Sequence, residues 1–264
     1  MIQSRPLIMG ILNITPDSFS DGDCFLDIEN AVKHAEYMIK NGADIIDIGG
    51  ESTRPGAMPV DVHTEITRVI PVIEKLKGKC TISVDTYNSI TADKAIKAGA
   101  AIINDISAMQ NDPNMIEVVK AHDNVKVVLM HKKGNPADMQ YDPIYTDVLG
   151  EILDFFRDRI DFCIRNGVAE NRIILDPGIG FGKNFEHNIT ILKNIEVFKS
   201  LNLPVLLGAS RKSFINSIYP SSPKDRLMGT LATTAAAYIK KIDFVRVHDV
   251  KQHYEFLQSL KRML

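Results

Sequence analysis

Residues 243–250, DFVRVHDV, set Arg246 and His248 alternately with the apolar Val245 and Val247. In an extended strand that alternation puts the guanidinium and the imidazole on one face. Two cationic or potentially cationic groups side by side call for an anion between them. A salt bridge to Asp243 or Asp249 is the plainer explanation, but both aspartates have the opposite parity and point away. Phosphate oxygens suit the pair better, and Arg54, in the stretch ESTRPG, can bring a second guanidinium to the same place. The spacing therefore points to a phosphorylated or pyrophosphorylated ligand.

Four further polar residues close apolar runs. Asp85, in SVDTYN, is placed equally well to cap a following helix or to bind a ligand. Asn104 lies inside an apolar strand, where its amide must be partnered by a buried network or by a ligand. Asp176, before Pro177 and Gly178, can simply shape a turn, and Lys212 alone reads as a solvated surface lysine. Taken together, the two carboxylates and the amide suit the edge of a planar heterocycle bearing an amino-amidine group, with Lys212 donating to a ring carbonyl or nitrogen.

Something must carry these groups to one place. Eight short β-rich runs recur at residues 7–14, 43–50, 80–86, 101–107, 126–131, 173–178, 204–210 and 244–250. Between them lie amphipathic segments such as IENAVKHAEYMIKNG, with Ile28, Val32, Ala35, Met38 and Ile39 on one side. The junctions IKNGADIIDIGG and IKAGAAIINDIS each set a glycine where a helix C-cap needs a left-handed residue. Strands alternating with helices imply a parallel sheet, and eight such units in 264 residues predict an α/β fold, a (β/α)8 TIM barrel, as a single domain over residues 1–264. An open doubly wound sheet is the runner-up, but GILNITPDSFSDG after the first strand has no glycine-rich nucleotide loop. In a barrel the active site forms at the C-terminal strand ends, which here carry Asn13, Thr53, Arg54, Asp85, Asn104, Asp176, Arg211, Lys212, Arg246 and His248.

Composition narrows the partners. A net charge of −2 argues against nucleic acid and anionic membranes, so any anion is bound locally. Cys24, Cys80 and Cys163 form no zinc or disulfide pattern and suit a reducing compartment. The N-terminal LIMGIL is too short for a secretory signal, and no stretch approaches a membrane span. The expected location is the cytoplasm.

Eight motifs in order, MGILNITPDSFSDG (9–22), DIIDIGGESTRPG (44–56), SVDTYN (83–88), INDIS (103–107), LDPGIGFGK (175–183), GASRKSFI (208–215), GTLATT (229–234) and VRVHDV (245–250), resemble the dihydropteroate synthase family of pterin-binding enzymes over nearly the whole chain. The resemblance implies a barrel enzyme of folate biosynthesis, usually homodimeric, that joins 6-hydroxymethyl-7,8-dihydropterin pyrophosphate to 4-aminobenzoate. It assigns Asp85, Asn104, Asp176 and Lys212 to the pterin, Thr53 to the pterin substrate near its pyrophosphate, and Arg246 with His248 to the pyrophosphate. Asn13 would help hold a Mg²⁺ ion on that pyrophosphate. Phe19, Asp21 and Arg54 would act from two mobile loops, 15–23 and 52–58, and Phe181, Lys212 and Ser213 would line the aminobenzoate pocket. Asp21, Arg54, Lys212, Arg246 and His248 would form the catalytic set. Relatives read SFSDGG where this chain has SFSDGD, so Asp23 predicts altered mobility of the first loop rather than lost activity. Three alternatives remain: a pterin-binding methyltransferase, which would not need VRVHDV or ESTRPG, a Schiff-base lyase built on Lys212, and a silent pterin-binding module. Asn13, Arg246 and His248 together speak against the last.

Overall fold

The computed structural model describes residues 5–14, 24–51, 60–134 and 143–264. Among these, eight strands alternate with eight α-helices: β1 (Leu7–Asn13), α1 (Cys24–Lys40), β2 (Ile45–Gly49), α2 (Val62–Leu76), β3 (Thr81–Asp85), α3 (Ser89–Ala98), β4 (Ile102–Asp105), α4 (Met115–Ala121), β5 (Lys126–Met130), α5 (Val148–Arg165), β6 (Ile173–Asp176), α6 (Phe185–Lys193), β7 (Leu206–Leu207), α7 (Leu227–Ile239), β8 (Phe244–Val247) and α8 (Val250–Met263). All strand pairs are parallel, in the order β6-β5-β4-β3-β2-β1-β8-β7. A bridge between Leu175 and Val205, with the Leu175 N–H donating to Pro204 O at 2.9 Å, joins the two ends of that order. The (β/α)8 barrel read from the alternating pattern is the fold.

Strand alternation splits the apolar residues into two cores. Met9, Ile45, Ile102, Val128, Ile174, Leu206 and Phe244 pack against one another as one buried cluster, the plug of the barrel interior. Their neighbours of opposite parity, including Ile8, Ile46, Ile103, Val127, Ile173 and Val245, join the larger cluster with the helices. Each interior side chain removed from water contributes about 1.5–3 kcal/mol, so the register of every strand is strongly specified. Two residues beyond the plug, toward the C-terminal ends, the same inward parity selects Asp47, Asn104, Asp176, Gly208 and Arg246, with the apolar Ile11 and Met130 beside them. The hydrophobic plug is thus the floor beneath a polar layer.

Local chemistry ends the helices where the sequence suggests. Gly42 and Gly99 adopt φ of +101° and +131° after α1 and α3. Asp61 caps α2 by accepting from Thr64 N at 3.0 Å, and Asn184 with His187 forms a capping box on α6. No helix among the described residues is long and apolar enough to cross a membrane.

Candidate active site

Arg246 is the hub of the polar layer. Its Nε donates to Asp47 Oδ2 and its Nη2 to Asp85 Oδ2, each at 2.6 Å. Asn104 Nδ2 donates to the same Asp47 oxygen at 3.0 Å. Asp47, Asp85 and Asn104 are buried, while the Arg246 side chain keeps 17% exposure at the mouth. The counter-charge expected of a ligand is therefore partly built in: the carboxylates facing Arg246 come from β2 and β3, not from its own strand. Asp249 instead pairs with Arg211, and Asp243 with Lys199.

Burial drives Asp85 up to about 7, with Asp47, Glu65 and Asp105 adding to the rise and Arg246 opposing it. For Arg246 burial acts against the charge, but Asp47 and Asp85 outweigh it and raise its pKa. A buried pair of this kind adds little to stability as a unit, yet losing one member strands the other at a cost of about 3–5 kcal/mol. Among the described residues Asp47 Oδ1 and Ser83 Oγ are buried with no hydrogen-bond partner, on residues paired across β2 and β3.

Next to this network stands a second acid–base pair. Asp176 Oδ1 accepts from Gly178 N at 2.7 Å, so its turn-shaping role is real. A side-chain carbon on Gly208 would lie 3.4 Å from Asp176 Oδ2 and 4.0 Å from Lys212 Nζ, so both line the hollow above that glycine. Lys212 is no surface lysine: it donates to Ile179 O and sits 4.5 Å from the centre of the Phe181 ring. Burial lowers its pKa to about 8, reinforced by Arg246 and opposed by Asp176 and Asp85. Burial likewise raises Asp176, against the pull of Lys212.

His248 follows β8. Its Nδ1 lies 2.9 Å from Ser210 Oγ, and its own N–H donates to that oxygen at 3.2 Å. With the hydroxyl proton directed to Nδ1, a neutral ring carries its proton on Nε2, which is then a donor. Arg211, at φ +58°, is fastened to both carboxylate oxygens of Asp249 and ties the segment bearing Lys212 to the one bearing His248. Asn13 closes β1 opposite Gly49, and a side-chain carbon on Gly49 would sit 3.6 Å from Asn13 Oδ1 and 3.5 Å from Asp85 Cβ. The missing side chain leaves a gap between the amide and the carboxylate.

The structure gathers Asp85, Asn104, Arg246, Asp176 and Lys212 into this layer and places Asn13, Phe181 and His248 at its edge. Ser213 follows Lys212 and is exposed. Phe19, Asp21, Asp23, Thr53 and Arg54 lie outside the described residues. The helix-cap alternative for Asp85 fails, because Asn88 holds the cap position of α3. Two contributors were missed. Asp47 could have been found from its parity, since it shares the inward face with Ile45; Ser210 carries no comparable signal.

A parallel barrel with a cleft of carboxylates, amide, lysine and arginine at its C-terminal rim defines an enzyme of the α/β-barrel class, equipped for a polar, partly anionic ligand. The chain belongs to the pterin-binding enzyme family, whose model matches residues 9–248, and within it to the dihydropteroate synthases. It is 46% identical over 264 residues to dihydropteroate synthase of Bacillus subtilis, covering 99% of this chain and 90% of the relative. The crystal structure of dihydropteroate synthase from Clostridium difficile in the presence of pteroic acid is similar, with TM-score 0.91 and 44% identity, covering 98% of this chain and 97% of that one. So is dihydropteroate synthase of Xanthomonas albilineans with 4-aminobenzoic acid, with TM-score 0.91 and 40% identity over 98% and 93% of the two chains.

Proposed function

We propose that this chain, as a single barrel domain, condenses 6-hydroxymethyl-7,8-dihydropterin pyrophosphate with 4-aminobenzoate to give 7,8-dihydropteroate and pyrophosphate. The observation that carries this reading is the convergence on one rim of Asp85, Asn104 and Arg246 with Asp176 and Lys212. Relatives solved with pteroic acid and with 4-aminobenzoic acid support the same substrates. Asp176, Asn104 and Asp85 take the donors of the pterin edge, and Lys212 supplies a donor to its ring. Arg246 and His248 face the pyrophosphate, Thr53 contacts the pterin substrate beside it, and Phe181, Ser213 and the Lys212 stem border the aminobenzoate together with Phe19. Asp21 and Arg54 complete the catalytic set from the two loops.

As the C–O bond to pyrophosphate breaks, charge builds on the departing oxygen, where Arg246 and His248 stabilise it. The pterin methylene becomes cation-like, its charge spread into a ring whose hydrogen bonds Asp85, Asp176 and Lys212 hold in place. The neutral arylamine attacks and then sheds a proton that needs little base strength, with no covalent enzyme intermediate. The donors present fit a Mg²⁺ ion that arrives with the substrate. No group of three or more His, Cys, Asp or Glu able to hold a metal exists among the described residues, whereas Asn13 offers the single hard oxygen that a phosphate-borne ion requires. When bound, Mg²⁺ supplies neutralisation of the pyrophosphate oxygens.

Two further readings accompany this one. Met228 and Ile239, 72% and 64% exposed on α7, support a homodimer that covers them. Free thiols at Cys80 and Cys163 support a cytoplasmic location. The deciding experiment mixes the purified protein with Mg²⁺, the pterin pyrophosphate and 4-aminobenzoate. Dihydropteroate and pyrophosphate in equal amounts are expected, and a folded protein that yields neither would overturn the assignment.

A further inference from the structure

One buried lysine takes no part in the cleft chemistry. Lys183, 1% exposed, sits behind the segment 178–182 that follows β6. Its Nζ donates to Gly178 O and Phe181 O at 3.0 Å each and to His131 O at 3.3 Å, and stands 3.0 Å from His131 Nδ1. Burial lowers the pKa of this amine well below that of an ordinary lysine, and the acceptors around its Nζ match the protons it keeps. From the other side Asn188 accepts from Gly180 N at 2.7 Å and donates to Lys183 O at 3.2 Å.

The glycines show how closely this segment is seated. Gly178 and Gly182 have φ of +67° and +64°, and a side-chain carbon on either would lie 2.0 Å from the carbonyl oxygen of His131 or Lys133. The segment therefore lies flat on the chain that follows β5, with Lys183 bridging the two. What it presents outward is Phe181 and the carbonyl of Ile179, the two groups that meet the Lys212 ammonium.

We infer that Lys183 is a positioning residue for the acceptor substrate: its Nζ fastens the segment after β6 to the segment after β5, and so sets where Phe181 borders the arylamine. This rests on the synthase reading given above. Lys183→Met keeps the side-chain volume, removes the donor to the Phe181 carbonyl and leaves the Gly178 carbonyl with the Phe181 N–H alone. Asn188→Ala releases the same segment from its other end, and serves if the first variant does not fold.

The test is steady-state kinetics of each variant with both substrates varied, alongside Phe181→Ala and the double variant Lys183→Met/Phe181→Ala. A rise of about tenfold or more in the 4-aminobenzoate KM is expected, with binding of the pterin pyrophosphate changed by less than about twofold. On the Phe181→Ala background Lys183→Met should add less than about twofold, because both changes act through one element. An unchanged 4-aminobenzoate KM, equal losses for both substrates, or full additivity with Phe181→Ala would overturn the assignment while leaving the synthase reading intact. Absence of turnover in the unaltered protein would remove both.

Discussion

Arg246 and Asp47 meet at 2.6 Å although 199 positions separate them in the chain. Barrel closure makes that contact, since β8 lies beside β1 and β1 beside β2. The site's cation is thereby pre-aimed: with Nε on Asp47 and Nη2 on Asp85, the guanidinium plane is set before any ligand arrives.

Replacing Arg246 by Met should lower unfolding free energy by about 3–5 kcal/mol, because Asp47 and Asp85 are left in the interior without their counter-charge. Adding Asp47→Asn should recover part of that loss, giving a non-additive cycle in urea denaturation. Purely additive values would mean that the pair is energetically idle. In binding assays Arg246→Ala should weaken the pterin pyrophosphate far more than the bare pterin, and equal losses would contradict its assignment to the leaving group.

Lys212 sets an alkaline limit. Its pKa of about 8 means that raising the pH past that point removes its positive charge and one of its three protons, which weakens its donation to Ile179 O and to a bound ring. The free-enzyme profile of kcat/KM should therefore fall above pH 8. Lys212→Arg, which stays charged throughout, should move that limb to higher pH even where it lowers the plateau. A limb that stays put in Lys212→Arg would assign it to another group.

Much of this arrangement could be read from the chain before any coordinates. Alternation in DFVRVHDV put Arg246 inward, and of the polar residues read at strand ends Asp85, Asn104, Asp176 and Lys212 join it, whereas Arg211 turns to Asp249 and Thr53 and Arg54 lie outside the described residues. Alternation also distinguishes Asn104, which reaches Asp47, from its neighbour Asp105, which turns the other way to accept from Ser107 N and Met109 N. What stayed hidden depends on register between strands far apart in sequence: nothing within residues 243–250 says that the partners of Arg246 sit on β2 and β3. Lys183 was hidden for another reason. It closes the motif LDPGIGFGK, but its burial follows from the path of a glycine-rich segment that no periodicity describes.

His253, fully buried between α7 and α8, is 2.9 Å by Nδ1 from Thr234 Oγ1, while its Nε2 has no partner among the described residues. Burial lowers its pKa to about 4. The folded ring therefore stays neutral where the unfolded ring, at about 6.5, takes up a proton, so its contribution to stability is present above that value and lost as pH falls toward 4. Burial gives His131 the same sign, with a pKa of about 2, whereas the raised carboxyls Asp85, Asp105 and Asp176 oppose both over the acid range. The net slope is thus mixed, and the difference between variants isolates one group. Against the unaltered protein, His253→Gln should lose about 1.4 kcal/mol less per pH unit between roughly 6 and 4.5 in urea titrations. Parallel curves would show that His253 does not titrate there.

Two glycines at the rim should fail in opposite ways. At Gly208 an added methyl meets only ordinary contacts, 3.4 Å to Asp176 Oδ2 and 4.0 Å to Lys212 Nζ, so Gly208→Ala should fold with its midpoint nearly unchanged. The methyl nevertheless occupies the hollow where Asp176 and Lys212 meet a ligand, and the KM for the pterin substrate should rise about tenfold. At Gly178 the same methyl would lie 2.0 Å from the His131 carbonyl on a backbone at φ +67°, and no flexible side chain is there to give way. Gly178→Ala should therefore lower the melting temperature by several degrees, in keeping with a cost of about 1–3 kcal/mol for a strained backbone. Stability and substrate affinity are read separately, by thermal unfolding without ligand and by pterin titration. If Gly208→Ala unfolds early while binding normally, Asp176 and Lys212 do not share the hollow above Gly208 with the pterin.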